Sequence, residues 1–319
     1  MMVNLTDIRK ELNLESINYG DLTWINIEKP TEKVKEYLAQ NYPFHQLDLD
    51  DCLSRIQRPK IDEYKDYLFM VLHFPVFNKL ARVTEASQVS IFISEHYLIT
   101  LHEGRLKPLI NLFNECKENE KSRQENFKRG SAYLLYRITD MLVDYCFPIL
   151  NKVGDNIEVI EDSIFTNGKH TKVREISELR RDVISLRRVM GHMRATISGL
   201  ESKIHRFSQA DLAVYFGDTV DHLEKIWDAL EEYKEVIEGL NSTYDSLSSE
   251  RINDILRILT ILTTVGTVLT VVASFFGMNI PLPGGANPGG HTYSWVILLV
   301  LMFLIIAGML FYFKRKRWL

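Results

Sequence analysis

The 319-residue sequence is short of the residues that mark several function classes. It has three cysteines, Cys52, Cys116 and Cys146, none at the close spacing of a metal site. An odd number at wide separation excludes a disulfide framework and predicts reduced thiols in a cytosolic region. There is no phosphate loop, nucleophile elbow or zinc-ligand spacing, and the nine histidines form no ligand cluster. These absences argue against an enzyme and against an organic cofactor. Net charge is -4, without a basic patch interleaved with aromatics, so no nucleic-acid partner is expected. Met1 to Asn13 is polar and charged, which predicts neither a signal peptide nor a transit peptide.

One further absence organises the chain. Between Ile258 and Phe276 there is no Asp, Glu, Lys or Arg. At 1.5 Å per residue that run is roughly 28 Å long, enough to cross a bilayer core. Steps of three and four from Asn253 give Leu256, Thr260, Thr263, Gly266/Thr267, Thr270, Ser274 and Gly277, a small and mostly hydroxyl-bearing stripe. The remaining faces carry Ile255, Ile258, Ile261, Leu262, Val265, Val268, Leu269, Val272 and Phe276. A hydroxyl face on a membrane helix predicts contact with protein or with a water-filled path. Hydroxyls bonded back to the i−4 carbonyl, with small residues for close packing, account for the stripe equally well.

Residues 277–294 also lack Lys, Arg, Asp and Glu, and hold three Pro and five Gly, a loop composition. Trp295 to Phe313 reads as a second span, with Tyr293 and Trp295 at one interface and Tyr312 and Trp318 at the other. The basic tail Lys314, Arg315, Lys316, Arg317 follows. Positive charge on that side places the C-terminus in the cytosol and the loop outside; two spans then put the N-terminal part in the cytosol as well. The tail is expected to bind anionic lipid.

Upstream, residues 1–128 read as an α/β domain with an antiparallel or mixed sheet. Leu22 to Ile27, Tyr67 to Phe77, Gln88 to Ile93 and Tyr97 to His102 are strand-like, the last two joined as a hairpin by Ser94-Glu95-His96. Thr31 to Tyr42 and the segment after Pro43 look helical. Residues 129–217 are helical, with one helix from Tyr133 to Phe165 kinked or broken at Pro148 and a second from Lys172 to about Arg206. From Asp218, the series Leu223, Ile226, Leu230, Tyr233, Ile237, Leu240, Tyr244 and Leu247 is a heptad seam. Seam and span together predict one stalk helix over 218–276, carrying cytosolic events into the membrane.

Gly277-Met278-Asn279, at the outer end of the first of two C-terminal spans with a short loop and a basic tail, resembles the signature of the CorA family of divalent-cation channels. Thr23-Trp24-Ile25-Asn26, Gln57-Arg58-Pro59-Lys60, Tyr133-Leu134-Leu135-Tyr136 and the ending from Tyr312 to Leu319 also match the family pattern, so the resemblance covers nearly the whole chain. It implies a funnel-shaped homopentamer in the cell membrane that admits Mg²⁺, and also Co²⁺ or Ni²⁺, down its electrochemical gradient. It places Gly277, Met278 and Asn279 in a selectivity filter. It carries pore positions onto Asn253, Leu256, Leu259, Thr270, Gly277 and Asn279, to which the stripe adds Thr260, Thr263, Thr267 and Ser274. It maps an inter-subunit regulatory Mg²⁺ site onto Asp51 and Asp218, with Asp50 near, where a bound cation would relieve repulsion between carboxylates and hold the pore closed. Many relatives carry acidic residues in the loop, or Tyr before the tripeptide; here the loop is uncharged and the preceding residue is Phe276. Two rivals remain: a Zn²⁺ transporter of the same architecture, and a pore-less coiled-coil sensor tethered to the membrane.

Overall fold

The computed structural model describes residues 13–54, 57–78, 83–167, 172–207, 211–277 and 294–316. The chain divides into two compact units, Met1–Asn241 and Ser242–Leu319.

In the first unit a six-stranded mixed sheet lies between two helical layers. Its strands are β1 (Leu14–Tyr19), β2 (Leu22–Glu28), β3 (Lys60–Glu63), β4 (Leu68–Asn78), β5 (Val83–Ile93) and β6 (Tyr97–His102), in the order β1-β2-β6-β5-β4-β3. All neighbours are antiparallel except β2 and β6, where Trp24 faces Leu98 and Asn26 faces Thr100. Alternation along the strands supplies two apolar faces. Ile25, Ile27, Phe69, Val71, Phe92, Ile99 and Leu101 pack under α1 (Glu32–Asn41) and α2 (Gln46–Leu53) through Val34, Leu38, Phe44 and Leu49. Trp24, fully buried on the other face, meets Phe113 edge-on at 5.0 Å and donates its indole N–H to Thr100 Oγ1 at 3.2 Å.

That second face is covered by α3 (Lys107–Glu118), α4 (Glu120–Phe127), α5 (Ser131–Asp144), α6 (Cys146–Asn167) and α7 (Lys172–Ser198). The helix expected over Tyr133 to Phe165 is two helices, broken at Tyr145. Pro148 then sits in the first turn of α6, where its missing N–H costs nothing. The helix expected to reach Arg206 ends at Ser198 and continues as the short α8 (Leu200–Ile204) and a 3₁₀ turn, His205–Phe207.

Helix α9, Ala213–Phe276, belongs to the first unit as far as Asn241 and to the second from Ser242. Its heptad seam is used inside the chain: Leu223, Ile226, Leu230, Ile237 and Leu240 are each at most 6% exposed. Two aromatic side chains of α9 enter glycine notches. A Cβ on Gly191 of α7 would stand 2.9 Å from Trp227 Cζ3, and one on Gly154 of α6 would stand 2.6 Å from Tyr233 Oη. Arg187 and Arg194 stack on the Trp227 ring at 5.3 and 5.8 Å, and pair with Glu231 and Glu224. The second unit holds the rest of α9 and α10 (Ser294–Arg315).

Candidate metal-handling sites

Among the described residues one helix, α9, carries a membrane-length apolar window, with a mean hydropathy of 2.1 and none of it buried. Ile261, Val265, Val268 and Val272 are half-covered, whereas Asn253, Leu256, Leu259, Thr260, Thr263, Thr267, Thr270 and Ser274 are exposed. At 100° per residue the hydroxyl stripe lies about 150° around the helix from the half-covered face. The hydroxyls of Thr260, Thr263 and Thr270 donate to the carbonyls of Leu256, Leu259 and Gly266 at 2.7, 2.8 and 2.9 Å. Each donor is thereby spent, and the oxygen lone pairs left over can only accept. A hydrated cation presents donors, namely the protons of its waters, so such a face suits it. Gly277 follows α9 as a turn residue; Met278 and Asn279 of the expected filter lie outside the described residues, as does Arg317 of the tail. Lys314 and Arg315 close α10, and Lys316 follows them.

The acidic run on α2 is not bare. His45 caps the helix by accepting from the Leu47 N–H at 3.2 Å, and its own N–H reaches Tyr67 Oη at 2.8 Å. Asp48 is buried and accepts from the Tyr64 and Tyr67 hydroxyls at 3.1 and 3.0 Å. Burial pushes its carboxyl above the usual range, an effect the two hydroxyls only partly offset. Asp50 meets Lys35 Nζ at 2.5 Å. Asp51 meets Lys60 Nζ at 2.6 Å, and Lys60 also contacts Asp62 at 2.5 Å. Burial draws the Lys60 ammonium down, but the hydrogen bonds it donates to both aspartates, with their charges, outweigh it and leave its pKa raised. The expected repulsion at Asp51 is therefore already countered by a cation of the same chain.

Asp218 lies in the first turns of α9 with its side chain 59% exposed. It borders an open recess of about 530 Å³ lined by Tyr136, Val214, Tyr215, Gly217 and Asp221. His222, one turn on, brings Nε2 to 3.9 Å from Asp218 and Nδ1 to 3.1 Å from Asp144. Asp140, Asp144 and His222 each offer a ligand atom within 4.8 Å of the others. Burial, then the Asp144 charge, raises the Asp140 pKa. Sequence reading missed this trio, although the signal was there: Asp140/Asp144 and Asp218/His222 are both i,i+4 pairs on one helix face. The trio includes neither of the two predicted regulatory aspartates, Asp51 and Asp218.

An α/β unit continued by one helix into a membrane-length apolar segment is the make-up of a membrane protein, and its carboxylates and hydroxyls are oxygens of the kind that divalent cations prefer. Comparison with known proteins places it. Residues 19–315 match the family described as CorA-like Mg²⁺ transporter protein. A Bacillus subtilis protein, YfjQ, described provisionally as a metal ion transporter, is 31% identical over 99% of this chain and 98% of its own. The cobalt/magnesium transport protein CorA of Thermotoga maritima is 28% identical over 93% of this chain and 83% of its own. The solved CorA magnesium transporter of Methanocaldococcus jannaschii shares the fold, with a TM-score of 0.81 at 24% identity over 96% of this chain and 95% of that one. The chain belongs to the CorA family and is a divalent-cation transporter of the membrane.

Proposed function

We propose that the chain is one subunit of a homopentameric Mg²⁺ channel that also passes Co²⁺ or Ni²⁺. Five copies of α9 line the pore, α10 forms a second span outside them, and both termini face the cytosol. The observation that carries this reading is the hydroxyl stripe of α9, exposed on the side opposite the half-covered face. One subunit with two spans cannot enclose a path, so the stripe needs copies around an axis. Neutral oxygens hold a hydrated Mg²⁺ without stripping its waters, and release it where carboxylates would bind more firmly. Gly277, Met278 and Asn279 form the outer filter; Leu256 and Leu259, each about half exposed in one chain, form an apolar constriction that closes by dewetting. The negative-inside potential drives entry, by about 4.6 kcal/mol per divalent ion per 100 mV. Cytosolic Mg²⁺ bound between Asp51 of one copy and Asp218 of the next, with Asp50 near, holds the closed state. The tail from Lys314 to Arg317 rests on anionic lipid.

The test is Mg²⁺ uptake by proteoliposomes of the purified protein and its Asn279→Ala variant, with Zn²⁺ and Co²⁺ in parallel. Uptake that falls at least tenfold in the variant is expected. Zn²⁺ flux without Mg²⁺ flux moves the chain to zinc transport, and no flux at either high or low cytosolic-side Mg²⁺ leaves the tethered sensor.

A further inference from the structure

We infer that Lys60 is a tethered counter-cation that competes with the divalent regulator for Asp51, and so sets the cytosolic Mg²⁺ concentration at which the channel closes. This rests on the reading of Asp51 as a regulatory ligand. Lys60 opens β3, where its backbone is held opposite Val71 of β4, so its side chain leaves a fixed base. Its ammonium touches Asp51 Oδ2 at 2.6 Å, and the two side chains are 34% and 15% exposed. The Asp51 carboxylate is thus partly enclosed with a cation already on it. Hard oxygen donors of this kind suit Mg²⁺, but an entering ion must take the oxygen from the ammonium.

Asp62 makes that exchange possible. Its Oδ2 lies 2.5 Å from the same Nζ, so Lys60 displaced from Asp51 keeps one carboxylate partner. Displacement costs one ion pair, not two, and a doubly charged ion gains about twice the Coulomb energy of a lysine at the same distance. Monovalent ions have no such advantage, so the lysine also screens the site against cytosolic K⁺ and Na⁺. Asp50 cannot take the role of Asp51 unopposed, because Lys35 sits on it in the same way.

The experiment titrates Mg²⁺ into the full-length protein in detergent and reads the rise in unfolding midpoint, which follows site occupancy. Block of proteoliposome uptake by Mg²⁺ on the cytosolic side gives a second reading. Only the component lost in Asp51→Asn is scored. Lys60→Met is expected to lower the half-saturating Mg²⁺ concentration about fivefold, the worth of one partly exposed charge pair. Lys60→Arg stays near the native value. Asp62→Asn, which leaves the lysine on Asp51 alone, raises it. An unchanged or raised value for Lys60→Met overturns the inference while leaving Asp51 as a ligand. If Lys60→Met does not fold, Asp62→Asn decides, and no rise there overturns it. If Asp51→Asn itself leaves the titration unchanged, the regulatory reading fails, and the inference with it.

Discussion

Gly191→Ala tests the clamp between α7 and α9, and the sign of its effect should depend on the partner side chain. Its Cβ would lie 2.9 Å from Trp227 Cζ3 and 3.4 Å from Cη2. Trp227 cannot retract freely, because Arg187 and Arg194 stack on its ring and are anchored by Glu231 and Glu224. Overpacking of this kind costs about 1–3 kcal/mol. Replacing a mid-helix glycine by alanine returns about 1 kcal/mol of helix propensity. The net expectation is destabilisation of up to about 2 kcal/mol. In a Trp227→Phe background the outer edge of the indole is gone and only the propensity gain remains, so the same substitution should stabilise by about 1 kcal/mol. The assay is a double-mutant cycle on unfolding midpoints of the full-length protein in detergent, followed by circular dichroism. A shift of the same sign and size in both backgrounds refutes the clamp.

Other substitutions have equally definite outcomes. Gly154→Ala places its Cβ 2.6 Å from Tyr233 Oη and should destabilise by about 1 kcal/mol; adding Tyr233→Phe, which removes that oxygen and leaves the ring Cζ at 3.1 Å, should recover part of the midpoint. His102 is 2% exposed, and burial draws its pKa down from 6.5 to about 4. Between those values the unfolded chain binds a proton the fold does not. Its contribution is therefore full above pH 6.5 and is lost as pH falls towards 4, by up to about 3 kcal/mol. His102→Gln should flatten that part of the acid unfolding curve, read from denaturant midpoints at pH 6.5 and 4.5; equal slopes refute it.

Much of the first unit is legible in its sequence because its chemistry repeats along the chain. β4, the second half of β5 and β6 announce themselves as apolar runs, β2 as an alternating one, and Ser94-Glu95-His96 as a turn, because strands buried on both faces are largely apolar. β1 does not: in Leu14–Tyr19 only Leu14 and Ile17 are buried, three residues apart, which is no strand period. α4 is polar except for Phe127 at its end and has no periodicity to read; it starts because the Asn119 side chain accepts from the Lys121 and Ser122 N–H groups. α3 is absent from the sequence expectations, although Leu109, Leu112, Phe113 and Cys116 keep helical spacing behind Pro108. The seam of α9 was visible as a period, but a period does not name its partner: the Gly154 and Gly191 notches show that α6 and α7 of the same chain fill part of it. Likewise the acidic run Asp48-Asp50-Asp51 reads as exposed negative charge, because its partners Tyr64, Tyr67, Lys35 and Lys60 come from distant turns of the chain.

The threonine hydroxyls of α9 bear on how such a protein is made. Because Thr260, Thr263, Thr264 and Thr270 donate to their own helix, none exposes an unmet donor to hydrocarbon. If α9 lines a pore as proposed above, a lone subunit can therefore rest in the bilayer with these threonines against lipid tails at little cost. On that proposal, insertion and assembly become separable steps, and newly made copies can wait in the membrane until enough of them have accumulated to close the proposed ring.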